Sequence, residues 1–341
     1  MKLYVLQKQN LKKYQHNSVM KKKKLLASIS LDLDDQWSYM KVHGDDGWEE
    51  FPSYLNIVVP IFLDVFDKLG IKITFFVVGQ DAAIEKNHKI LQSIIERGHE
   101  IGNHSFHHES WLKTYSKEKI EEEIIMAEEA IIKATGARTN MFRGPGFSWS
   151  NDLLEVLQKR NYLFDASTLP TYISPLMRRY YFAKSKLTKE QKESRKELFG
   201  SFKEGFFPLK PYRWKLNNNK KLLEIPVTTM PFFKLPFHQS YLLYISGVSN
   251  ALMKMYLRFA IFMCKLTKTP PSYLLHPLDL IGGDDVPQLS FFPGMSIKSE
   301  KKLAVFETAI TMLKKHFELL PMSEFSKHFT VNLKEIEPKT N

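Results

Sequence analysis

The 341-residue sequence predicts an α/β fold in the form of a (β/α) barrel, and three observations support this class. Short apolar runs alternate with segments of helical periodicity, which favours a mainly parallel sheet with crossover helices. No glycine-rich phosphate loop follows the first strand, which argues against a dinucleotide-binding sheet. Polar residues fall instead at the ends of successive strands. Chemistry assembled from many strand ends is typical of a barrel.

The first predicted strand covers residues 25–34, where apolar and polar residues alternate with a period of two. Asp32 and Asp34 therefore share one face of the strand. Two carboxylates on one face are costly unless they bind a cation or share a proton. Asp35 is expected to face away, so the pattern favours Asp32 and Asp34 as the working pair.

Residues 36–54 have no clear period and are predicted to form a loop. The loop carries Trp37 and Trp48 directly after the predicted catalytic strand. Such aromatic side chains suit two roles, stacking on sugar rings or closing the end of the barrel. Both interpretations stay open at this point.

Periodicity and punctuation by proline and glycine place the remaining elements. Further strands are predicted at residues 71–78, 139–143, 162–166, 222–229, 272–277 and 318–321. Helices are predicted at residues 60–69, 84–97, 116–134, 151–160 and 298–316. Ser116 is expected to cap the third of these helices, and Gly136 is expected to end it.

Two histidines four residues apart, His104 and His108, follow an alternating run at residues 99–103. They can meet one metal ion if the chain between them makes a single helical turn. The zinc-protease pattern His-Glu-x-x-His fails here, because Asn103 stands where the second histidine is needed. The single cysteine, Cys264, excludes a disulfide framework and a cysteine zinc finger. Histidines and carboxylates are therefore the available metal ligands.

The formal net charge of +12 is concentrated in two segments. Residues 1–24 hold eight lysines and no acidic residue, and residues 170–222 hold fourteen Lys or Arg against four Glu. Either the two segments are a solvated tail and a solvated insertion, or they meet an anionic partner such as a membrane or a phosphorylated substrate. No nucleic-acid-binding motif accompanies the charge, so we expect no nucleic acid partner.

A long apolar segment at residues 241–266 contains Lys254, Arg258 and Lys265, which argue against a membrane-spanning helix. The segment suits a buried barrel helix or an amphipathic helix lying at a membrane face. The start of the chain is polar and does not match a signal peptide. We therefore expect a cytoplasmic location, with peripheral contact at the inner face of an anionic membrane.

Five segments occur in the order of the motifs of a known family. They are Leu31–Asp35, His104–His108, Arg143–Pro145, Asp165–Ser167 and Leu275–His276. Together they resemble the polysaccharide deacetylases with a NodB-homology domain, carbohydrate esterase family 4. The resemblance covers about residues 25–168 continuously and 222–320 more thinly.

The resemblance implies a distorted, seven-stranded barrel of the TIM-barrel-like type. We expect one domain over residues 25–330, with a basic aromatic insertion at 170–222. A basic tail at 1–24 precedes the domain, and a tail at 331–341 follows it.

The resemblance also implies a metal site and a general base. A divalent ion, for which zinc is the first choice, is expected on Asp34, His104 and His108. Asp32 is the expected base, and Arg143 would hold that carboxylate ionised. Where the family usually has Asp-Asp-Gly, this sequence has Asp-x-Asp-Asp-Gln at residues 32–36. The alternative of Asp34 as base and Asp35 as metal ligand therefore stays open.

His276 is the expected general acid, with Asp165 raising its pKa by stabilising the imidazolium. The backbone amide near Gly146 is expected to meet the oxyanion, and glycine stands where the family commonly has tyrosine. The expected substrate-binding residues are Pro145, Gly146, Leu275, Trp37 and Trp48.

The predicted activity is metal-dependent removal of an N-acetyl or other N-acyl group from a sugar. The sugar belongs to a polysaccharide or to a glycan precursor that is lipid-linked or nucleotide-linked. Two alternatives remain. One is a catalytically degenerate barrel that binds glycan or associates with a membrane, and the other is a related deformylase or amidohydrolase.

Overall fold

The computed structural model describes residues 24–176, 179, 188, 189 and 202–338. All but the last residue of the predicted tail 1–24 lies outside the described residues. The same holds for much of the predicted insertion 170–222 and for the last three residues of the tail 331–341.

The described residues contain ten strands that belong to one sheet. The strands are β1 Leu25–Leu33, β2 Thr74–Val77, β3 Glu100–Asn103, β4 Met141–Phe142, β5 Phe164–Asp165, β6 Tyr212–Lys215, β7 Lys221–Glu224, β8 Ser272–Leu275, β9 Phe317–Leu320 and β10 Glu335–Ile336. Their order is β10-β6-β7-β5-β4-β3-β2-β1-β8, and β9 pairs with the first half of β1. Neighbours run parallel except for β6 and β7, which form an antiparallel hairpin.

The crossover segments form ten α-helices in the described part of the chain. They are α1 Gln36–His43, α2 Leu55–Leu69, α3 Gly79–Ala83, α4 His88–Glu96, α5 Lys117–Thr135, α6 Asn151–Lys159, α7 Gln239–Val248, α8 Asn250–Thr267, α9 Ser299–His316 and α10 Met322–Ser326. As predicted, Ser116 caps α5, with its side chain accepting from the backbone of Lys119. None of the described helices is both long enough and apolar enough to cross a bilayer.

The sheet approaches closure where the segment after β7 meets β8. The Thr228 amide donates to the Ser272 carbonyl at 3.0 Å, and the Ser272 amide donates to Thr228 Oγ1 at 2.8 Å. These bonds take the place of a paired ladder between β7 and β8. The predicted α/β class is confirmed. The contact between the segment after β7 and β8 is looser than the strand pairing of a strict barrel.

Strand β1 organises the sheet because it pairs with β2, β8 and β9. Leu31 lies in register with Phe75 of β2 and Leu275 of β8. All of these strands are parallel, so their carboxyl ends meet at the same edge. The residues that end β1 and β8 therefore lie side by side there.

The predicted loop at residues 36–54 is wrong, because α1 begins at once after β1. Asp35 caps this helix by accepting from the Gln36 amide at 2.7 Å, and Gly44 ends it in the left-handed conformation. The helix has little apolar periodicity. Its two caps, rather than an amphipathic pattern, define it.

Two helix predictions placed the boundaries wrongly. Helix α2 begins at Leu55, so Pro60 lies inside it rather than at its start. The apolar segment at 241–266 is two helices, because Ser249 has an extended backbone that ends α7 and caps α8. Packing of the apolar helix faces, rather than the helix propensity of single residues, determines where α2 begins and where α7 ends.

The outer edge of the sheet includes residues predicted to belong to the insertion and to the C-terminal tail. Strand β6 comes from the predicted insertion, where Trp214 is fully buried. Strand β10 comes from the predicted C-terminal tail and pairs with β6. Both strands are too short for periodicity to reveal them.

Candidate metal centre and active site

The two carboxylates predicted on one face of β1 both reach the same cavity. Asp32 lies in β1, and Asp34 follows its last residue. Both side chains are buried, with 4% and 8% exposure. The β1 alternation aims them into the space above the carboxyl edge of the sheet, as the sequence predicts.

Arg143, after β4, is fully buried and bonds to Asp32. Its Nη1 donates to Asp32 Oδ1 at 2.7 Å and to Ser30 Oγ at 2.8 Å, and its Nε donates to the Ala166 carbonyl at 3.0 Å. The guanidinium also stacks over Phe76, 4.5 Å from the ring centroid. These contacts fix the guanidinium beside the Asp32 carboxylate.

Asp34 lies between the two predicted metal-binding histidines. Its Oδ1 is 3.0 Å from His108 Nε2 and 3.5 Å from His104 Nε2. His104 Nδ1 lies 2.6 Å from the Arg143 carbonyl, so Nδ1 carries the proton and Nε2 is free to ligate. The structure thus brings Asp34, His104 and His108 together.

The turn between the histidines is not the predicted helical turn. Ser105 and His108 have positive φ angles of 61° and 54°. The chain wraps around the buried carboxylate of Glu123 in α5, whose Oε2 accepts from the amides of Phe106 and His107 at 3.1 and 3.0 Å. Glu123 was missed by sequence reasoning, where it appeared only as one of three consecutive glutamates.

The donor set fits a divalent metal ion. The three ligand atoms of Asp34, His104 and His108 lie within 4.8 Å of one another. Asp34 Oδ1 is buried and accepts no well-directed hydrogen bond. Burial alone would raise the pKa of Asp34, but His108 and His104 outweigh burial and hold the pKa below its ordinary value. An ionised carboxylate facing two imidazole nitrogens suits zinc and similar ions.

The alternative assignment of Asp35 to the metal is wrong. Asp35 faces away from the histidines, and its Oδ1 accepts from the amides of Gln36 and Tyr54 at 2.7 and 2.9 Å. Burial raises its pKa to about 6. Asp35 is a helix cap that stands behind the site.

His276, after β8, faces Asp32 across the site. Its Nε2 is 3.9 Å from Asp32 Oδ2, and its Nδ1 is 3.7 Å from Asp279 Oδ2. Asp279 Oδ2 also accepts from the His276 amide at 2.9 Å, which closes the turn after β8. Burial alone would lower the pKa of His276, but Asp279 and then Asp32 raise it to about 9.

The prediction that Asp165 raises the pKa of His276 is wrong, because Asp279 occupies that position. Asp165 instead accepts from Ser167 Oγ at 2.5 Å. Its own pKa is raised to about 6 by burial. Asp279 was missed, although its position three residues after His276 and two after Pro277 is a signal for a capped turn.

A cavity of about 750 Å³ opens above these residues. Its polar floor carries Asp32, Asp34, His104, His108 and His276, and most of its other lining side chains are apolar. The apolar wall includes Phe147, Leu169, Ile173, Leu243, Tyr244, Leu278, Phe291 and Phe292. Sequence reasoning assigned no role to any of these eight residues.

Of the predicted substrate-binding residues, Gly146 alone lines the cavity. Pro145 and Leu275 are buried beside it. Gly146 has a φ of 59°, and an added Cβ would lie 3.1 Å from Ser110 Oγ. A side chain at this position would press on Ser110, which also lines the cavity.

Trp37 supports the site from behind, so the prediction that it contacts substrate is wrong. Trp48 is half-buried and does not line the cavity, and its predicted role stays a prediction. Trp37 is 1% exposed, and its Nε1 donates to Asp81 Oδ1 at 2.6 Å. Its ring packs edge-on against His108 and stacks with Trp48. Trp37 therefore restrains a predicted metal ligand.

The geometry defines a polar cluster at the carboxyl edge of an α/β sheet, and comparison with known proteins agrees with this class. Residues 42–164 match the family model "Polysaccharide deacetylase". The chain is 33% identical over 111 residues to the Bacillus subtilis peptidoglycan-N-acetylmuramic acid deacetylase PdaA, covering 32% of this chain and 41% of PdaA. It is 26% identical over 161 residues to a Helicobacter pylori peptidoglycan deacetylase, covering 45% and 53% of the two chains.

The whole fold has a counterpart among solved structures. A crystal structure of a candidate polysaccharide deacetylase from Mycobacterium smegmatis has a TM-score of 0.55 and 17% identity, covering 94% of this chain and 96% of that one. The chain spans about half the length of the curated relatives that it matches. The predicted resemblance to the polysaccharide deacetylases is confirmed over residues 42–164.

Proposed function

We propose that this protein is a metal-dependent hydrolase that removes an N-acetyl or other N-acyl group from a sugar. The observation that carries the proposal is the grouping of Asp34, His104 and His108 beside a separate pair, Asp32 and His276. The first group suits a metal ion. The second supplies a base and an acid side by side at the floor of one cavity.

Asp34, His104 and His108 would hold the ion, for which we propose Zn²⁺. When bound, such an ion polarises an acyl oxygen and lowers the pKa of water. The orientation of His104 is already fixed through its Nδ1 bond to the Arg143 carbonyl. Binding would therefore cost little rearrangement of this ligand.

Asp32 would act as general base. Arg143 holds its Oδ1, and Oδ2 remains directed toward His276 and the cavity. The ion pair with Arg143 holds the carboxylate in position, so Oδ2 can take the proton of the attacking water. The electron pair of that O–H bond then forms the new bond to the acyl carbon.

His276 would act as general acid. Its raised pKa keeps the imidazolium protonated at neutral pH, and its Nε2 lies 3.9 Å from Asp32 Oδ2 at the floor of the cavity. Proton transfer from Nε2 to the amide nitrogen lets the amine leave as the C–N bond breaks. The backbone at Gly146 can approach the acyl oxygen closely because no side chain intervenes.

For the substrate, we propose a saccharide carried on a lipid rather than on a nucleotide. The cavity wall is largely apolar. Among the described residues that line the cavity there is one lysine, Lys302, and it already donates to the carbonyls of Leu278 and Ile281 at 2.6 and 2.7 Å. A nucleotide carrier would need cations for its phosphates, whereas an acyl or prenyl chain needs an apolar wall.

Metal analysis combined with an acetate-release assay on an N-acetylated saccharide tests the proposed function. We expect the wild-type protein to bind about one equivalent of zinc and to lose activity with a chelator. His104→Ala should lose both metal and activity, while His328→Ala, at an exposed position, should keep both. Equal activity of wild type and His104→Ala would contradict the proposal. A wild-type protein without metal would favour a degenerate glycan-binding barrel.

A further inference from the structure

Helix α8 exposes a continuous apolar stripe on its outer face. Leu252, Met255, Phe259, Phe262 and Leu266 recur at spacings of three and four residues and are 42–62% exposed. Side chains at these spacings lie on one face of a helix. The opposite face carries the buried residues, so α8 is apolar on both sides. An outer apolar face on a surface helix calls for a partner.

Neighbouring segments extend the stripe into a larger surface. Phe233, 52% exposed, packs on Phe259 with 5.9 Å between ring centroids, and Phe232 beside it is 71% exposed. At the other end, Val248 of α7 is 81% exposed and lies four residues before Leu252. We call the α8 stripe together with Phe232, Phe233 and Val248 the apolar face.

The charges around the apolar face have one sign. Helices α7 and α8, with the residue that follows, contain four basic residues and no acidic residue over positions 239–268. The basic residues Lys254, Arg258, Lys265 and Lys268 are all exposed. In the described part of the chain, none of the four pairs with a carboxylate. An exposed apolar stripe flanked by unpaired cations is typical of a helix that lies on anionic lipid.

The apolar face lies next to the mouth of the site cavity. Tyr244 of α7 lines the cavity, is 50% exposed, and lies one turn before Val248. Leu176 also lines the cavity and is 65% exposed. The apolar surface therefore continues from the outer helix into the cavity.

We propose that the apolar face docks this protein on the surface of an anionic bilayer, with the cavity mouth next to the lipid. The apolar side chains enter the boundary between headgroups and acyl chains, and the four cations contact anionic headgroups. Docking of this kind is peripheral. It does not depend on the proposed hydrolase activity, and it explains how a lipid-carried saccharide could reach the site.

Vesicle sedimentation with the full chain tests the proposal. Wild-type protein is mixed with vesicles of phosphatidylcholine alone or of phosphatidylcholine with phosphatidylglycerol. We expect binding to the anionic vesicles that is at least tenfold tighter and that weakens in high salt. The double variant Phe259→Asp, Phe262→Asp should lose most of this binding, and so should Lys254→Glu with Arg258→Glu.

Matched substitutions on another surface helix serve as controls. Ile132 of α5 is 41% exposed and Lys133 beside it is also exposed, so Ile132→Asp and Lys133→Glu should bind vesicles as wild type does. Circular dichroism and zinc content verify that all variants fold. Hydrolysis of a soluble substrate should be unchanged in Phe259→Asp, which separates a failure of docking from a failure of the proposed function.

Three outcomes would overturn the proposal. If wild-type protein does not sediment with anionic vesicles, the apolar face is not a membrane-docking surface. Equal binding by wild type and the double phenylalanine variant would assign the binding to another segment, such as the lysine-rich residues 1–24. A lipid-free dimer that Phe259→Asp converts to monomer would assign the apolar face to a second copy of the chain.

Discussion

Asp279 holds His276 at two points, accepting from its amide through Oδ2 at 2.9 Å and placing the same oxygen 3.7 Å from Nδ1. The carboxylate thus fixes the backbone of the proposed acid and stabilises the charge on its ring. Asp279, with a smaller contribution from Asp32, raises the pKa of this proposed acid to about 9. Its role leads to the first prediction.

Asp279→Asn should move the alkaline limb of the pH profile of kcat/KM. The pKa of His276 is about 9, so the wild-type rate should fall as pH rises through that value, where the acid loses its proton. Without the Asp279 charge the pKa falls, and the limb should shift to lower pH by about one unit or more. Asp165→Asn should leave the position of this limb unchanged. A shift in the Asp165 variant alone would restore the original assignment of that residue.

Substitutions of the three aspartates should separate the base from the metal ligand. Asp34→Asn should lower zinc affinity, because a neutral amide replaces the anionic donor between His104 and His108. Asp32→Asn should keep zinc and lower kcat by roughly 10²–10⁴-fold, the usual contribution of a general base. Asp35→Asn should keep zinc, since asparagine also caps helices. Zinc loss in Asp35→Asn with full retention in Asp34→Asn would reverse the assignment.

Glu123→Ala should weaken metal binding although Glu123 is not a proposed ligand. The carboxylate accepts from the amides of Phe106 and His107, and this holds the turn that brings His108 toward Asp34. Loss of such support typically lowers metal affinity by about 10–100-fold. Zinc titration against a competing chelator measures the effect. Glu122→Ala, one residue earlier and exposed, is the matched control and should bind zinc as wild type does. Equal affinities would show that the turn keeps its shape without Glu123.

The free energy of unfolding should fall as pH decreases from about 6.5 toward 4. Burial lowers the pKa of His99 to about 4, whereas an unfolded histidine titrates near 6.5. The unfolded chain therefore takes up this proton first, and stability is lost by up to about 1.4 kcal/mol per pH unit. Denaturant unfolding at several pH values measures the slope.

His99→Asn removes the titrating group and keeps an acceptor where His99 Nδ1 receives the Ile73 amide. The variant should show a shallower decline over the same range. His328→Asn, at an exposed position, should leave the slope unchanged. A wild-type slope in the His99 variant would assign the acid sensitivity to other groups, of which His238 is one, since burial also lowers its pKa to about 4.

The sequence predicted correctly those features that depend on a few neighbouring residues. Alternation along β1 predicted that Asp32 and Asp34 share a face, and both residues reach the cavity. The Ser116 cap and the Gly136 stop predicted α5 within a residue at each end. These features depend on backbone geometry over a few residues, which neighbouring side chains largely determine.

Local patterns did not predict contacts between side chains from segments that are far apart in the sequence. Asp165 ends a strand far from His276 in the sequence, and only the fold shows that Asp165 contacts Ser167 and does not reach His276. The same holds for Trp37, which looks like an exposed aromatic in sequence and is buried against Asp81 and His108. Whether a side chain faces ligand or core depends on what packs over it, and that information is spread over the whole chain.

The sequence by itself determined the α/β class, the order of the five motifs and the residue types available to a metal. The tertiary structure alone decided that Glu123 shapes the His104–His108 turn, that Asp165 does not reach His276, and that the α8 stripe faces outward. The physical reason is the range of the interactions. Periodicity and capping act within a few residues, whereas hydrogen bonds and electrostatic contacts such as these join groups that only the packed sheet and helices bring within a few ångströms.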